Sequence, residues 1–245
     1  MEAAEYGAMF EMEEAHWWYV GMRAITASLL NGAGGAGKRV LDAGCGTGGM
    51  LAPLARYGRT VGLDLAGEAL TFCRQRSNNV PLCRGTVEAL PFADGSFDLV
   101  TSFEVLYHLR VGDDQQAVRE LARVLRPGGL LLLRLPAYDF LRSRHDRAVH
   151  TRHRYRAAEV RRKVEAAGLA VERLSYANCL LFPAALAERL GEQVLWKRPS
   201  TEVSRGMVGG WLTGLFTGAL TLEARLLPRG NLPFGLSVVC LARKP

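Results

Sequence analysis

Short apolar runs alternate with amphipathic stretches along most of the chain. Lys38–Ala43 reads as a strand running into a glycine-rich bend, and Gly49–Tyr57 then takes helical spacing. Thr60–Asp64 predicts a second strand, Gly67–Gln75 a helix, Val80–Arg84 a third strand, and Ser96–Ser102 a fourth after the turn Ala93-Asp94-Gly95. Asp113–Leu125 is amphipathic, with Ala117, Leu121, Val124 and Leu125 on one face, and stops at Arg126-Pro127-Gly128-Gly129. Leu130–Leu135 predicts a largely apolar strand, as befits the buried middle of a parallel sheet. This alternation predicts a doubly wound α/β domain.

The last third is patterned differently. Ala157–Ala167 predicts a helix ending at Gly168, and Ala170–Ser175 a strand. Two apolar helices follow, near Leu180–Leu195 and Arg205–Leu226, before a closing strand over Gly235–Ala242. The helical insertion ahead of that strand is the expected substrate cap. With no long linker, the chain reads as a single domain over 1–245: an N-terminal helical lid over 1–30, a core over 38–177, a cap over 178–230 and a final strand over 235–243.

Met207–Leu222 is an apolar run of 16 residues, and a spanning helix needs roughly 20. Gly210, Gly214 and Gly218 recur every four residues and share one helical face, which allows a neighbour to approach closely. The segment reads as a packed helix, with peripheral membrane contact through 207–222 as the second option.

Composition narrows the field a little. The chain has 245 residues, 49% of them hydrophobic and 22% charged, as in an ordinary globular protein. Its acidic start has no basic stretch followed by an apolar run, so no secretory signal is predicted. Five scattered cysteines without CxxC spacing read as reduced thiols in a cytoplasmic protein. The net charge of +7 is carried mostly by arginine, which leaves room for an anionic substrate or an anionic membrane surface.

The candidate chemistry begins at residues 40–50, VLDAGCGTGGM. Glycines after a first strand let a ligand rest on bare backbone N–H groups. The spacing Gly44-x-Gly46-x-x-Gly49 fits a dinucleotide site, and equally an S-adenosylmethionine site. Asp42 discriminates between them. Ahead of the loop, a carboxylate would repel a pyrophosphate but pair with the ammonium of an aminoacyl tail. Asp64, at the tip of the second strand, can accept ribose hydroxyls in either class.

Five segments in order, VLDAGCGTG, VGLDLAGEAL, ALPFADGSFDLV, EVLYHL and ARVLRPGGLLLL, resemble the class I S-adenosylmethionine-dependent methyltransferases. His16-Trp17-Trp18 and His153-Arg154-Tyr155 resemble the type 11, ubiquinone-biosynthesis-like group. The resemblance implies a Rossmann-like seven-stranded sheet with the last strand antiparallel. It implies S-adenosylmethionine as cofactor, with Asp42, Gly44, Gly46 and Gly48 along its tail, Asp64 and Leu65 at the ribose, and Thr86, Val87 and Glu88 at the adenine. The family often carries Asp where Thr86 stands. Phe103 and Glu104 would border the methyl-transfer site. Trp18 would stack near the sulfonium, and Arg23 would reach the cofactor carboxylate.

An oxygen acceptor must also lose a proton, usually to His or a carboxylate. His108 is the first candidate base, and His145, His153 and Tyr155 are expected to shape the acceptor pocket after the fifth strand. His145, Asp146 and His150 fall at i, i+1 and i+5, a poor metal-ligand spacing, so no metal is predicted. The expected activity is methyl transfer to a small-molecule or lipid-linked acceptor, at oxygen. A non-catalytic assembly subunit on the same scaffold is the alternative, and a nicotinamide oxidoreductase a weaker one. Nucleic acid is disfavoured as a partner by the absence of an N-P-P-Y-like motif. Oligomeric state is not legible.

Overall fold

A computed structural model describes residues 3–76, 79–194 and 210–245. Seven strands form one sheet: β1 (Arg39–Ala43), β2 (Arg59–Asp64), β3 (Leu82–Arg84), β4 (Phe97–Phe103), β5 (Leu125–Pro136), β6 (Ala170–Ala177) and β7 (Ser237–Arg243). Their order is β3-β2-β1-β4-β5-β7-β6. β1 through β5 pair in parallel, and β7 runs antiparallel to both β5 and β6. The order reverses between β1 and β4, so a crevice opens beyond the carboxyl ends of those two strands.

Helices cover both faces, which is why the central strands carry apolar residues towards both. On one face Leu41, Val100, Leu131 and Leu133 pack against Val118 and Leu121 of α5 (Asp114–Val124) and Val160 and Val164 of α7 (Ala157–Glu165). On the other, Val40, Leu99, Phe103 and Leu132 pack against Met22 and Ile25 of α2 (Trp17–Leu29) and Leu220 and Ala224 of α9 (Gly210–Leu226). Each fully buried Leu or Ile contributes roughly 1.5–3 kcal/mol. α5 starts where the Asp113 carboxylate accepts the backbone N–H of Gln116 at 3.0 Å.

One expectation changes in detail. The breaker Arg126-Pro127-Gly128-Gly129 does not separate helix from strand. β5 already pairs at Leu125 with Phe97, and resumes at Leu130 opposite Leu99. The four residues between bulge out of the ladder, since proline has no N–H to give and Gly128 sits at φ 75°. On the glycine face of α9, no described residue packs closely. A Cβ at Gly210, Gly214 or Gly218 would meet no described atom within 4 Å. The close approach is made by Gly21 of α2, where a Cβ would fall 2.3 Å from Leu220 Cδ1. The first part of the predicted apolar run, residues 207–209, lies outside the described residues, as does the preceding stretch from 195. Among the described residues, no helix is long and apolar enough to cross a membrane.

Candidate cofactor site

The bend after β1 is built from backbone geometry that only glycine adopts without strain. Gly44, Gly46 and Gly48 have φ of 88°, 54° and 88°. A Cβ on Gly44 would lie 2.2 Å from Val105 Cγ2. The amides of Gly44 and Cys45 both donate to the Leu63 carbonyl, at 2.7 and 2.9 Å, which fastens the bend to β2. Asp64 completes the brace. One carboxylate oxygen accepts the Gly46 N–H at 2.8 Å, and the other accepts the Ala66 N–H at 2.9 Å, just ahead of α4 (Gly67–Arg76). An ionised carboxylate has about four lone-pair directions, so capacity for ribose hydroxyls is left over. The exposed Leu65 follows, its carbonyl accepting Arg84 Nε at 3.2 Å.

Asp42 lies on the α2 face of β1 and is buried. Its carboxylate accepts the Thr101 hydroxyl at 2.7 Å. Burial pushes its pKa up to about 7, and the nearby carboxylates of Asp64 and Glu13 push the same way. The Thr101 hydrogen bond and the Arg134 charge pull against them. A cation arriving beside Asp42 would therefore stabilise its ionised form.

At the tip of β4, Phe103 is buried and Glu104 is held at φ 56°, strained for a residue with a side chain. Glu104 receives Arg134 Nε at 3.2 Å. Arg134 comes from β5, directly opposite Phe103 in the ladder. Its guanidinium lies 4.6 Å from the Phe103 ring centroid and 5.1 Å from that of Trp18. Trp18 thus stacks on an arginine in this structure.

On the adenine side, Thr86 accepts the Glu88 N–H at 3.3 Å, Val87 is buried, and Glu88 accepts the Asp113 N–H at 2.8 Å. Arg23 is engaged within the chain. Both of its terminal nitrogens donate to backbone carbonyls, those of Glu13 and Glu14, where they tie together the link between α1 (Ala3–Met12) and α2.

The acceptor-side candidates are engaged within the chain, and the His153 and Tyr155 rings meet edge to face at 4.6 Å. Tyr155 is fully buried, its hydroxyl facing the Asp114 carboxylate at 2.7 Å and the Leu106 carbonyl at 3.1 Å. Lys163 holds the other oxygen of Asp114 at 2.8 Å. Burial and Asp114 raise the Tyr155 pKa, so it keeps its proton in a structural network. His153 bridges Asp139 and Glu159, each at 2.9 Å. His108 accepts the Arg110 N–H at 3.0 Å, and its ring lies 5.8 Å from that of His150. Burial lowers its pKa to about 4. His145 lies in α6 (Arg144–Ala148), and its side chain is outside the described residues. Much of the basic run after β5 is paired internally, with Arg154 on Asp146 at 2.7 Å and both side chains buried.

Residues 41–133 match a family model described as a methyltransferase domain, of type 11. A Mycolicibacterium smegmatis protein named "Probable S-adenosylmethionine-dependent methyltransferase" is 35% identical over 167 residues, 66% of this chain and 62% of that protein. The ubiquinone biosynthesis O-methyltransferase of Escherichia coli is 37% identical over 139 residues, 50% of this chain and 57% of that one. Residues 41–133 of this chain are a class I S-adenosylmethionine-dependent methyltransferase domain of the type 11 group. The matches span less than two thirds of the length of these relatives. The methyltransferase solved in complex with the Haloferax volcanii Trm112 activator shares the fold, with a TM-score of 0.64, 22% identity, and coverage of 99% of this chain and 96% of that one.

S-adenosylmethionine is the cofactor of this methyltransferase domain, and the residues present fit it. The side-chain-free cradle, the proton-holding Asp42 and the half-occupied Asp64 each supply one thing a cationic nucleoside needs. Three further residues of the methyltransferase were not singled out in the sequence. Glu13 lies over the loop, where a Cβ on Gly49 would come within 2.6 Å of its carboxylate carbon. Arg76 of α4 pairs with Glu13 at 3.2 Å. Arg134 interrupts an otherwise apolar strand, and that interruption was the one signal available. Three buried nitrogens around the start of α2, His16 Nε2, Trp17 Nε1 and Arg134 Nη1, have no hydrogen-bond partner among the described residues.

Proposed function

We propose that this chain transfers the methyl group of S-adenosylmethionine to an oxygen of a small-molecule or lipid-like acceptor. The observation that carries this reading is the assembly of Asp42, the left-handed glycine bend and Asp64 at the sheet's reversal point. The sulfonium is already a strong electrophile, so the protein contributes chiefly by aligning the acceptor behind the methyl carbon. Phe103 and Glu104 border that position, and Trp18 and Tyr19 close it from α2. His108 is the base in this reading. Its low pKa keeps the ring neutral near pH 7, and it can take a proton once Nδ1 gives up the Arg110 N–H.

The E. coli relative acts, by its name, at oxygen on the route to ubiquinone, and a 43% identical Mycolicibacterium smegmatis relative is named a fatty-acid O-methyltransferase. Both names support an acceptor with large apolar area. Residues 1–30 form a lid and 178–230 a cap in this reading. An open groove of about 540 Å³ runs along Gly214, Gly218 and Leu222 of α9, and Trp211 and Leu215 of the same helix are exposed, a surface suited to peripheral contact with lipid.

Calorimetry with S-adenosylhomocysteine tests the cofactor half, with binding expected and lost in Asp64→Ala. Radiolabelled methyl transfer to a panel of phenols, fatty acids and quinols tests the rest. Label found on carbon in product NMR would overturn the oxygen assignment.

A further inference from the structure

The tail of the cofactor is a zwitterion, with ammonium and carboxylate on one carbon. A pocket that holds the ammonium on Asp42 must therefore place a cation beside Asp42, or leave the carboxylate facing Asp42, Asp64 and Glu13. Those three carboxylates already act on one another unfavourably. Arg23 already spends one hydrogen of each terminal nitrogen on the Glu13 and Glu14 carbonyls, which ties it to the link between α1 and α2. Arg76 gives both terminal nitrogens to Glu13 and the Phe10 carbonyl, which leaves only its inner Nε unmatched.

Arg134 meets the requirement. Asp42 pairs with Thr101, and Arg134 with Phe103, two positions further along β4. Side chains two apart on a strand share a face, so Asp42 and Arg134 flank β4 on the same side, under α2. Each carries charge that the other senses. Arg134 is 5% exposed, clamped between the rings of Phe103 and Trp18, with Nε on Glu104. Its Nη1 is buried and has no partner among the described residues. A buried guanidinium nitrogen without an acceptor is costly, and a carboxylate would satisfy it by a charge-assisted hydrogen bond.

We propose that Arg134 Nη1 receives the carboxylate of S-adenosylmethionine, in place of Arg23. This rests on the cofactor reading above. Nε remains on Glu104 while Nη1 gains its partner, and the two rings keep the guanidinium plane in place. The tail is then read by a buried pair of opposite sign, Asp42 and Arg134, from opposite sides of β4.

The test compares S-adenosylhomocysteine with its decarboxylated counterpart, which keeps the nucleoside, the sulfur and the amine. The wild type should favour the carboxylate form by about 10- to 100-fold, the scale of one charged hydrogen bond. Arg134→Gln should reduce that preference to within about 3-fold, entirely through weaker S-adenosylhomocysteine binding. Arg23→Gln should keep it. Because Arg134→Gln leaves Glu104 buried and unpaired, a second variant combines Arg134→Met with Glu104→Met and should lose the preference equally. A crystal structure of the wild type with S-adenosylhomocysteine should show its carboxylate within hydrogen-bond distance of Arg134. A preference that survives in both Arg134 variants, or a carboxylate seated on Arg23, overturns this inference alone. A wild type that binds neither ligand overturns the cofactor reading and this inference with it.

Discussion

Glu13 accepts the hydroxyl proton of Thr47 at 2.5 Å, which fastens the end of α1 onto the glycine bend from 34 residues away. The same carboxylate pairs with Arg76 of α4 at 3.2 Å, and Met9 of α1 lies over Gly46, where a Cβ would meet its methyl at 2.9 Å. The N-terminal helix is thus held over the bend by a buried ion pair and one strong hydrogen bond.

Glu13→Gln should therefore loosen α1 more than it disturbs the sheet. Removing one partner of a buried pair leaves the other charge uncompensated, at a cost of up to about 3 kcal/mol. Limited proteolysis should cut faster between residues 3 and 16, while the core fragment survives. Equal cleavage rates for wild type and variant would show that the pair does not hold the helix.

Asp42 should make both stability and cofactor binding depend on pH, in opposite directions. Its folded pKa is raised to about 7, against about 3.9 in an unfolded chain. Between those values the native state holds a proton that the unfolded state has released. Its contribution to stability is complete below about pH 4, falls as pH rises to about 7, and is flat above. Asp42→Asn should thus melt at a higher temperature than wild type at pH 8. Ammonium binding needs the ionised form, so wild-type affinity for S-adenosylhomocysteine should rise about tenfold per unit below pH 7 and level off above it. Calorimetry from pH 5.5 to 8.5 checks this, and a flat profile would argue against the Asp42 contact.

Tyr155→Phe separates a structural role from a catalytic one. The lost hydroxyl leaves the Asp114 carboxylate and the Leu106 carbonyl short of a donor. Denaturant unfolding should show a loss of about 1–3 kcal/mol. Affinity for S-adenosylhomocysteine should stay within 2-fold. A rate collapse without any loss of stability would return Tyr155 to the reaction.

The cysteines should react in two groups under native conditions. Cys45, Cys73 and Cys240 are buried, and burial raises the thiol pKa of Cys45 and pushes that of Cys240 up to about 12. Iodoacetamide should leave these three unmodified while labelling Cys83 and Cys179, which are partly exposed. Peptide mass spectrometry reads the outcome. Early labelling of Cys45 would mean that the glycine bend opens readily.

Much of this molecule was legible before any coordinate. Asp42, Gly44, Gly46, Gly48 and Asp64 announce themselves because their signals are local. Glycine at a left-handed φ, a carboxylate at a strand tip, and the alternation of strand and helix all operate within a few residues. The bulge at Pro127 was less legible, since a breaker marks a local interruption without saying whether the strand has already begun. The glycine-spaced face of α9 meets no described residue closely. Spacing shows which residues share a face, and says nothing about whether another element covers it.

What the sequence determined by itself was the scaffold and the cofactor cradle, through backbone conformation and short-range pattern. The tertiary structure decided which charged and aromatic side chains are free to act. Tyr155 met Asp114 from 41 residues away, Arg23 was taken up by the carbonyls at 13 and 14, and Arg134 was left beside Glu104 with one nitrogen unmatched. The physical reason is that a long polar side chain takes its role from its partner, and such partners are brought together only when the sheet and helices pack.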